Sequence, residues 1–249
     1  MKVKDILSKS GIGILSAGIA GFFSFYAYET FCPKASLFGR VVTHGERNTN
    51  AVSLIFEKAP NEATTQLSAL LHELEIPSAF FLEGSRAKEY KKELKYLRTF
   101  ELGVQAEKYK PLIFRKRLSL IRLIAPTIYL IEDLQRRRPA FFLPPYGWKD
   151  PFLVKTASRL GLITLSPYIR KRKINLDVDI NTHASQIADK VQSGDIILIN
   201  SDPKSLGISN DNLLEFIYYL VQFIKAKGLS FWGLSPILIG GNLSKIIKK

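Results

Sequence analysis

Short apolar segments that alternate with helical ones constrain this chain more than any other feature. Val52–Phe56, Ser78–Leu82, Glu101–Gln105, Ala140–Leu143, Leu162–Leu165, Ile196–Ile199 and Ser230–Leu234 read as strands. Between them, Ala63–Glu75, Arg86–Arg98, Ile113–Arg137, Pro151–Leu160, Ala184–Gln192 and Asn212–Lys227 read as helices. Pro126 is predicted to kink or divide the third of these, because proline removes a helical donor and crowds the preceding turn. Strands and helices in alternation point to parallel β/α architecture. About seven such units in roughly 200 residues suit a compact barrel, closed or nearly so.

The chain has 249 residues, 46% hydrophobic and 23% charged, which excludes a disordered polypeptide. Its formal charge of +14 favours anionic partners such as phospholipid headgroups, acidic surface polymers or nucleic acid. Cys32 is the single cysteine, so an internal disulfide and a cysteine-based zinc site are both excluded. His44, His72 and His183 lie far apart in sequence, and their spacing suggests no shared metal.

Ser10 to Tyr28 carries no charge and ends in a cluster of aromatic residues. About 20 apolar residues cross a bilayer core as a helix, and Lys2, Lys4 and Lys9 ahead of the run predict a cytoplasmic amino terminus. No convincing small-x-small cleavage site follows, which favours an uncleaved anchor over a signal peptide. The expected organisation is a cytoplasmic segment (1–10), a transmembrane anchor (11–28), a connector (29–50), an extracytoplasmic domain (51–240) and a basic tail (241–249). That placement, and the lack of a recognisable nucleic-acid module, argue against nucleic acid as the partner. A membrane is expected to be met through the amino-terminal helix.

Four stretches carry a more specific signal. They are Ile55-Phe56-Glu57-Lys58-Ala59-Pro60, Ser78-Ala79-Phe80-Phe81-Leu82-Glu83-Gly84, Phe142-Leu143-Pro144-Pro145-Tyr146-Gly147 and Gly194-Asp195-Ile196-Ile197-Leu198-Ile199-Asn200. In this order they resemble the motifs of the polysaccharide deacetylase (NodB-homology) family, carbohydrate esterase family four. The resemblance implies a distorted (β/α) barrel of that type, preceded here by one transmembrane helix. It also implies removal of acetyl groups from N-acetylated sugars, with a divalent metal bound by one aspartate and two histidines. Such a metal polarises the amide carbonyl and acidifies the attacking water, a second aspartate takes up the proton, and a histidine protonates the leaving amine.

Carried over position by position, most of these groups are replaced. Glu57 stands at the base position and Lys58 at the metal-binding aspartate. Gln105 and Tyr109 stand at the two histidine ligands, Leu143 at an arginine, and Asn200 at the general-acid histidine. Two acidic positions fall on Arg170 and Lys173. A protonated ammonium has no lone pair to donate, and glutamine and tyrosine are poor zinc ligands, so the expectation is no metal and no cofactor. The expected cleft consists of Lys58, Gln105, Tyr109, Pro145, Tyr146, Trp148, Arg170 and Lys173, with Trp148 placed to stack on a sugar ring. The expected role is non-catalytic binding of a cell-envelope carbohydrate or acidic polymer. The competing expectation is a metal-independent deacetylase built on Glu57.

Overall fold

The computed structural model describes residues 17, 19–32, 39, 41–167, 169–171 and 179–239. Lys173, the basic tail, the expected cytoplasmic segment and residues 11–16 and 18 of the expected membrane span lie outside the described residues. The strands are β1 (Val41–Val42), β2 (Ala51–Ala59), β3 (Ser78–Leu82), β4 (Glu101–Val104), β5 (Phe141–Phe142), β6 (Ile163–Leu165), β7 (Ile169–Lys171), β8 (Ile196–Asn200) and β9 (Ser230–Phe231). Every pairing between them is parallel. The order is β1-β6-β5-β4-β3-β2-β8-β7, with β9 added to the start of β2. Among the described residues β1 and β7 do not pair with each other. The expected barrel is therefore a curled, open half-barrel.

The helices are α1 (19–31), α2 (Thr64–Glu73), α3 (Gly84–Glu89), α4 (Arg117–Gln135), α5 (Pro151–Arg159), α6 (Ile180–Ala188), α7 (Pro203–Leu206), α8 (Asn210–Ala226) and α9 (Leu234–Leu238). Successive side chains of a strand point to opposite faces, and here both faces are apolar. Leu54, Phe56, Phe80, Leu82, Val104, Phe142, Ile197 and Ile199 pack outward beneath the helices. Ile55, Ala79, Phe81, Phe141, Leu143, Leu165, Ile196 and Leu198 pack inward. Sheets covered on both faces read as continuous apolar runs, which is why these strands were visible in the sequence.

Gly103 of β4 makes the interior packing possible. A Cβ there would lie 2.3 Å from the ring of Phe81, so the ring crosses the space a side chain would fill. Near the carboxyl ends the same inward register changes character. Glu57, Gln105 and Asn200 continue the inner rows as buried polar groups, with Glu57 directly opposite Asn200.

Several local expectations change. β2 does not end at Phe56 but runs through Glu57 to Ala59, and Glu57 is fully buried within it. The expected 29–50 connector is partly structured: α1 continues to residue 31, and β1 pairs with β6. Arg86–Arg98 forms α3 and a separate 3-10 turn (Glu93–Leu97) in place of one helix. The long helix starts at Arg117 and passes through Pro126 unbroken. Pro126 and Arg122, whose carbonyl loses its partner there, are both exposed, so water can satisfy that group. The segment at Arg170 is strand β7, paired with β8.

The expected anchor also looks different at its end. Among the described residues no helix is long and apolar enough to cross a membrane. The carboxyl end of α1 is part of the domain, because Glu29 and Thr30 are buried there. The buried Lys149 donates from Nζ to the Cys32 carbonyl at 2.6 Å, and its backbone N–H donates to Thr30 at 3.2 Å. A cation at a helix carboxyl terminus is favoured by the unsatisfied carbonyls and the helix dipole.

Candidate functional site

The strand ends build a polar cleft around β2. Lys58 has a positive φ of 63°, a conformation that costs a non-glycine residue on the order of 1–2 kcal/mol. Its backbone N–H donates to Gln105 Oε1 at 3.0 Å, and its Nζ sits 4.7 Å from the centre of the Tyr109 ring. Burial lowers the Lys58 pKa from 10.5, against the opposing pull of the Glu57 and Asp202 carboxylates.

Tyr109 is central to the arrangement. Its hydroxyl donates to Glu57 Oε2 at 3.0 Å and accepts the backbone N–H of Tyr146 at 3.3 Å. Its ring meets that of Tyr146 at 4.7 Å. Gln105 Nε2 reaches the same Glu57 oxygen at 3.5 Å. The phenol thus bridges the position that the resemblance gives to a base and a backbone amide of the Pro145–Gly147 turn. Tyr146 is held at φ 59° by the turn at Pro145–Gly147.

Around this centre, Arg86 pairs with the buried Asp202 and reaches Glu83 at 3.3 Å. Asn200 turns away from the cleft centre. Its Nδ2 donates to Ser205 Oγ at 2.8 Å, and its Oδ1 accepts the N–H of Asp202. Leu143 belongs to the inner apolar cluster.

Of the expected cleft residues, the fold brings together Lys58, Gln105, Tyr109, Pro145, Tyr146 and Trp148. Trp148 is not an open platform, because its ring already meets Phe31 of α1 at 5.2 Å and Tyr146 at 5.3 Å. Arg170 lies on β7 opposite Leu198. Glu83, Arg86, Asp202, Lys108 and Lys110 were missed by sequence reasoning. The available signal was position: Glu83 directly follows β3, and Asp202 lies two residues beyond β8.

A pocket of about 390 Å³ opens here, lined by Lys58, Glu83, Ser85, Arg86, Lys108, Tyr109 and Lys110. A hollow of about 600 Å³ at Glu89–Glu93 and one of about 410 Å³ beside His72 and Phe100 lie elsewhere. Neither contains Lys58 at the carboxyl end of β2 or Tyr109 beside it, so the smaller pocket is the candidate site.

The zinc implied by the resemblance does not fit these residues. The three ligand positions hold an ammonium, an amide and a phenol, and the last two are engaged with Glu57 and Lys58. Among the described residues no group of three His, Cys, Asp or Glu side chains could hold a metal.

The polysaccharide deacetylase family model matches residues 44–165. Residues 44–165 are therefore similar to the polysaccharide deacetylase family, and the fold is of the NodB type. Solved structures share its fold. A family-four pseudoenzyme from Bacillus anthracis is 20% identical at a TM-score of 0.68, over 80% of this chain and 68% of that one. A mutant of that pseudoenzyme, described as having restored enzymatic activity, superposes with a TM-score of 0.67 at 19% identity, over 80% and 71% of the two chains. A family-four carbohydrate esterase of Bacillus subtilis is 17% identical at a TM-score of 0.68, over 82% and 86% of the two chains. No curated protein matches the chain.

Proposed function

We propose that the domain is a non-catalytic deacetylase-like module that binds an anionic cell-envelope carbohydrate, held at a membrane by its amino-terminal helix with the domain on the extracytoplasmic side. The observation that carries this reading is the bridging hydroxyl of Tyr109 between Glu57 and the Tyr146 amide. It fills the place of the reacting atoms, while Lys58, Lys108 and Lys110 line the adjoining pocket with positive charge. A sugar carboxylate or phosphate meets lysine ammonium groups there, and an ionised hydrogen-bond partner is worth about 1.5–3 kcal/mol. The metal-independent deacetylase is the weaker reading, because the Glu57 carboxylate already accepts from Tyr109 and Gln105.

The test is titration calorimetry of the full chain in detergent with acidic and neutral envelope glycans. Lys58→Ala is expected to weaken binding of the acidic glycan by about 10-fold or more, equivalent to about 1.4 kcal/mol. The protonated ammonium is the binding form, and its pKa lies below 10.5. Affinity should therefore fall as alkaline pH rises through that lowered value, and Lys58→Arg should remove the pH dependence. Equal affinity of the wild type and Lys58→Ala for every acidic glycan would end this reading.

A further inference from the structure

Outside the cleft, the most unusual surface is the start of α4. From Lys108 to Ile131 the sequence contains Lys108, Lys110, Arg115, Lys116, Arg117 and Arg122 and no acidic residue. Within this basic stretch the large apolar side chains of Phe114 and Leu118 are 73% and 71% exposed. Phe152, near the start of α5, is 62% exposed. These residues share one corner of the fold. Asp150 caps α5 by accepting the Leu153 N–H at 2.7 Å, and its other oxygen accepts the Phe114 N–H at 2.6 Å. The acid nearest the patch is thus buried and engaged, and the exposed rim is basic.

The patch is continuous with α1. The ring of Tyr26 stacks on that of Phe114 at 5.8 Å. Beyond it, Phe22, Phe23 and Phe25 of α1 are exposed. At 1.5 Å per residue, Tyr26 lies about 7.5 Å along the helix from its docked end at residue 31. With that end held by the buried Lys149 and Tyr26 stacked on Phe114, α1 and the patch present their apolar side chains side by side.

We infer that Phe114, Leu118 and Phe152, rimmed by Arg115, Lys116 and Arg117, form a second membrane-contacting surface that inserts into the interface of an anionic bilayer. The inference rests on the membrane reading of α1. Aromatic and leucine side chains enter the headgroup–acyl boundary while arginine and lysine keep their charges at the phosphates. Each cation adds attraction to an anionic leaflet, which a neutral protein partner would not supply. Lys108 and Lys110 lie seven residues or fewer before the patch and line the cleft pocket, so docking sets the mouth of that pocket at headgroup level.

The test uses the full chain with Cys32→Ser and one new cysteine, Phe114→Cys or Phe22→Cys, labelled with an environment-sensitive fluorophore. Each is reconstituted in phosphatidylcholine vesicles with or without phosphatidylglycerol and with nitroxide-labelled lipid. The 114 label is expected to shift to the blue and be quenched in phosphatidylglycerol vesicles. Arg115→Glu, Lys116→Glu and Arg117→Glu together should abolish that response and leave the 22 label quenched. A quenched 22 label with the 114 label in water overturns the inference and leaves the anchor intact. Both labels in water overturn the two readings together, and a quenched 114 label with the 22 label in water upholds the surface without the anchor.

Discussion

Lys58→Asp combined with Gln105→His and Tyr109→His is expected to turn the cleft into a site that loads one zinc ion per chain. The argument is local. Gln105 Nε2 and Tyr109 Oη both converge on the same oxygen of Glu57, at 3.5 and 3.0 Å, so side chains at these positions already point to one spot. Position 58 sits at φ 63°, and aspartate is among the few side chains enriched in that left-handed region. An aspartate and two imidazoles form an open three-ligand site of the catalytic zinc type. Removing the phenol also frees the Tyr146 N–H and one side of Glu57. At a zinc concentration of about 100 times the dissociation constant, loading should stabilise the fold by about 2.7 kcal/mol. A zinc-dependent rise in unfolding temperature would register this, and no rise in the triple variant would mean the positions do not converge as described. Deacetylation should need more, since Asn200 is turned to Ser205 and Leu143 is packed in the interior.

Arg86→Ala should produce the largest loss of stability from a single change in the cleft. Asp202 is almost fully buried, and the Arg86 guanidinium is its ion-pair partner. Removing one member of a buried pair leaves an uncompensated charge, which costs about 3–5 kcal/mol. Arg86 is about a fifth exposed, so water moderates the effect and a loss near 3 kcal/mol is expected. Asp202→Asn in the Arg86→Ala background should recover part of it, and a double-mutant cycle measured by denaturant unfolding isolates the pairwise coupling. A change under about 0.5 kcal/mol for Arg86→Ala, within the range of ordinary surface substitutions, would contradict the buried-pair description.

The architecture was legible because double-sided burial gives each strand a continuous apolar run. All seven expected strands begin within one residue of their expected starts, among them Ser78–Leu82 and Ile196–Asn200. Ser230–Leu234 is less complete: it pairs only at Ser230–Phe231, and Leu234 instead starts α9. β1 and β7 were missed because they are short edge strands that owe their extended form to pairing with β6 and β8. Whether the curled sheet closes depends on the pairing of its two edges, which residue order does not encode.

The cleft was partly legible through register. Glu57, Gln105 and Asn200 each extend an inward-facing row, so the replaced positions meet as the motif order implied. The new partnerships were not legible. Tyr109 comes from the segment after β4 and Tyr146 from the turn after β5, and no local pattern predicts that a phenol will bridge Glu57 and a backbone amide. The same holds for Arg86 and Asp202, which lie 116 residues apart. Trp148 looked available from its place beside Pro144-Pro145-Tyr146-Gly147. Its coverage by Phe31 required α1 to dock onto the domain.

The central claim is that this domain keeps the family's scaffold while its own side chains occupy the place of the metal and the reacting atoms. Elemental analysis of the native full chain, equilibrated with excess zinc or cobalt and then desalted, tests it most directly. The account predicts no stoichiometric metal in the native chain, with one ion appearing in the Lys58→Asp, Gln105→His, Tyr109→His variant under the same treatment. One zinc or cobalt ion retained per native chain would contradict it.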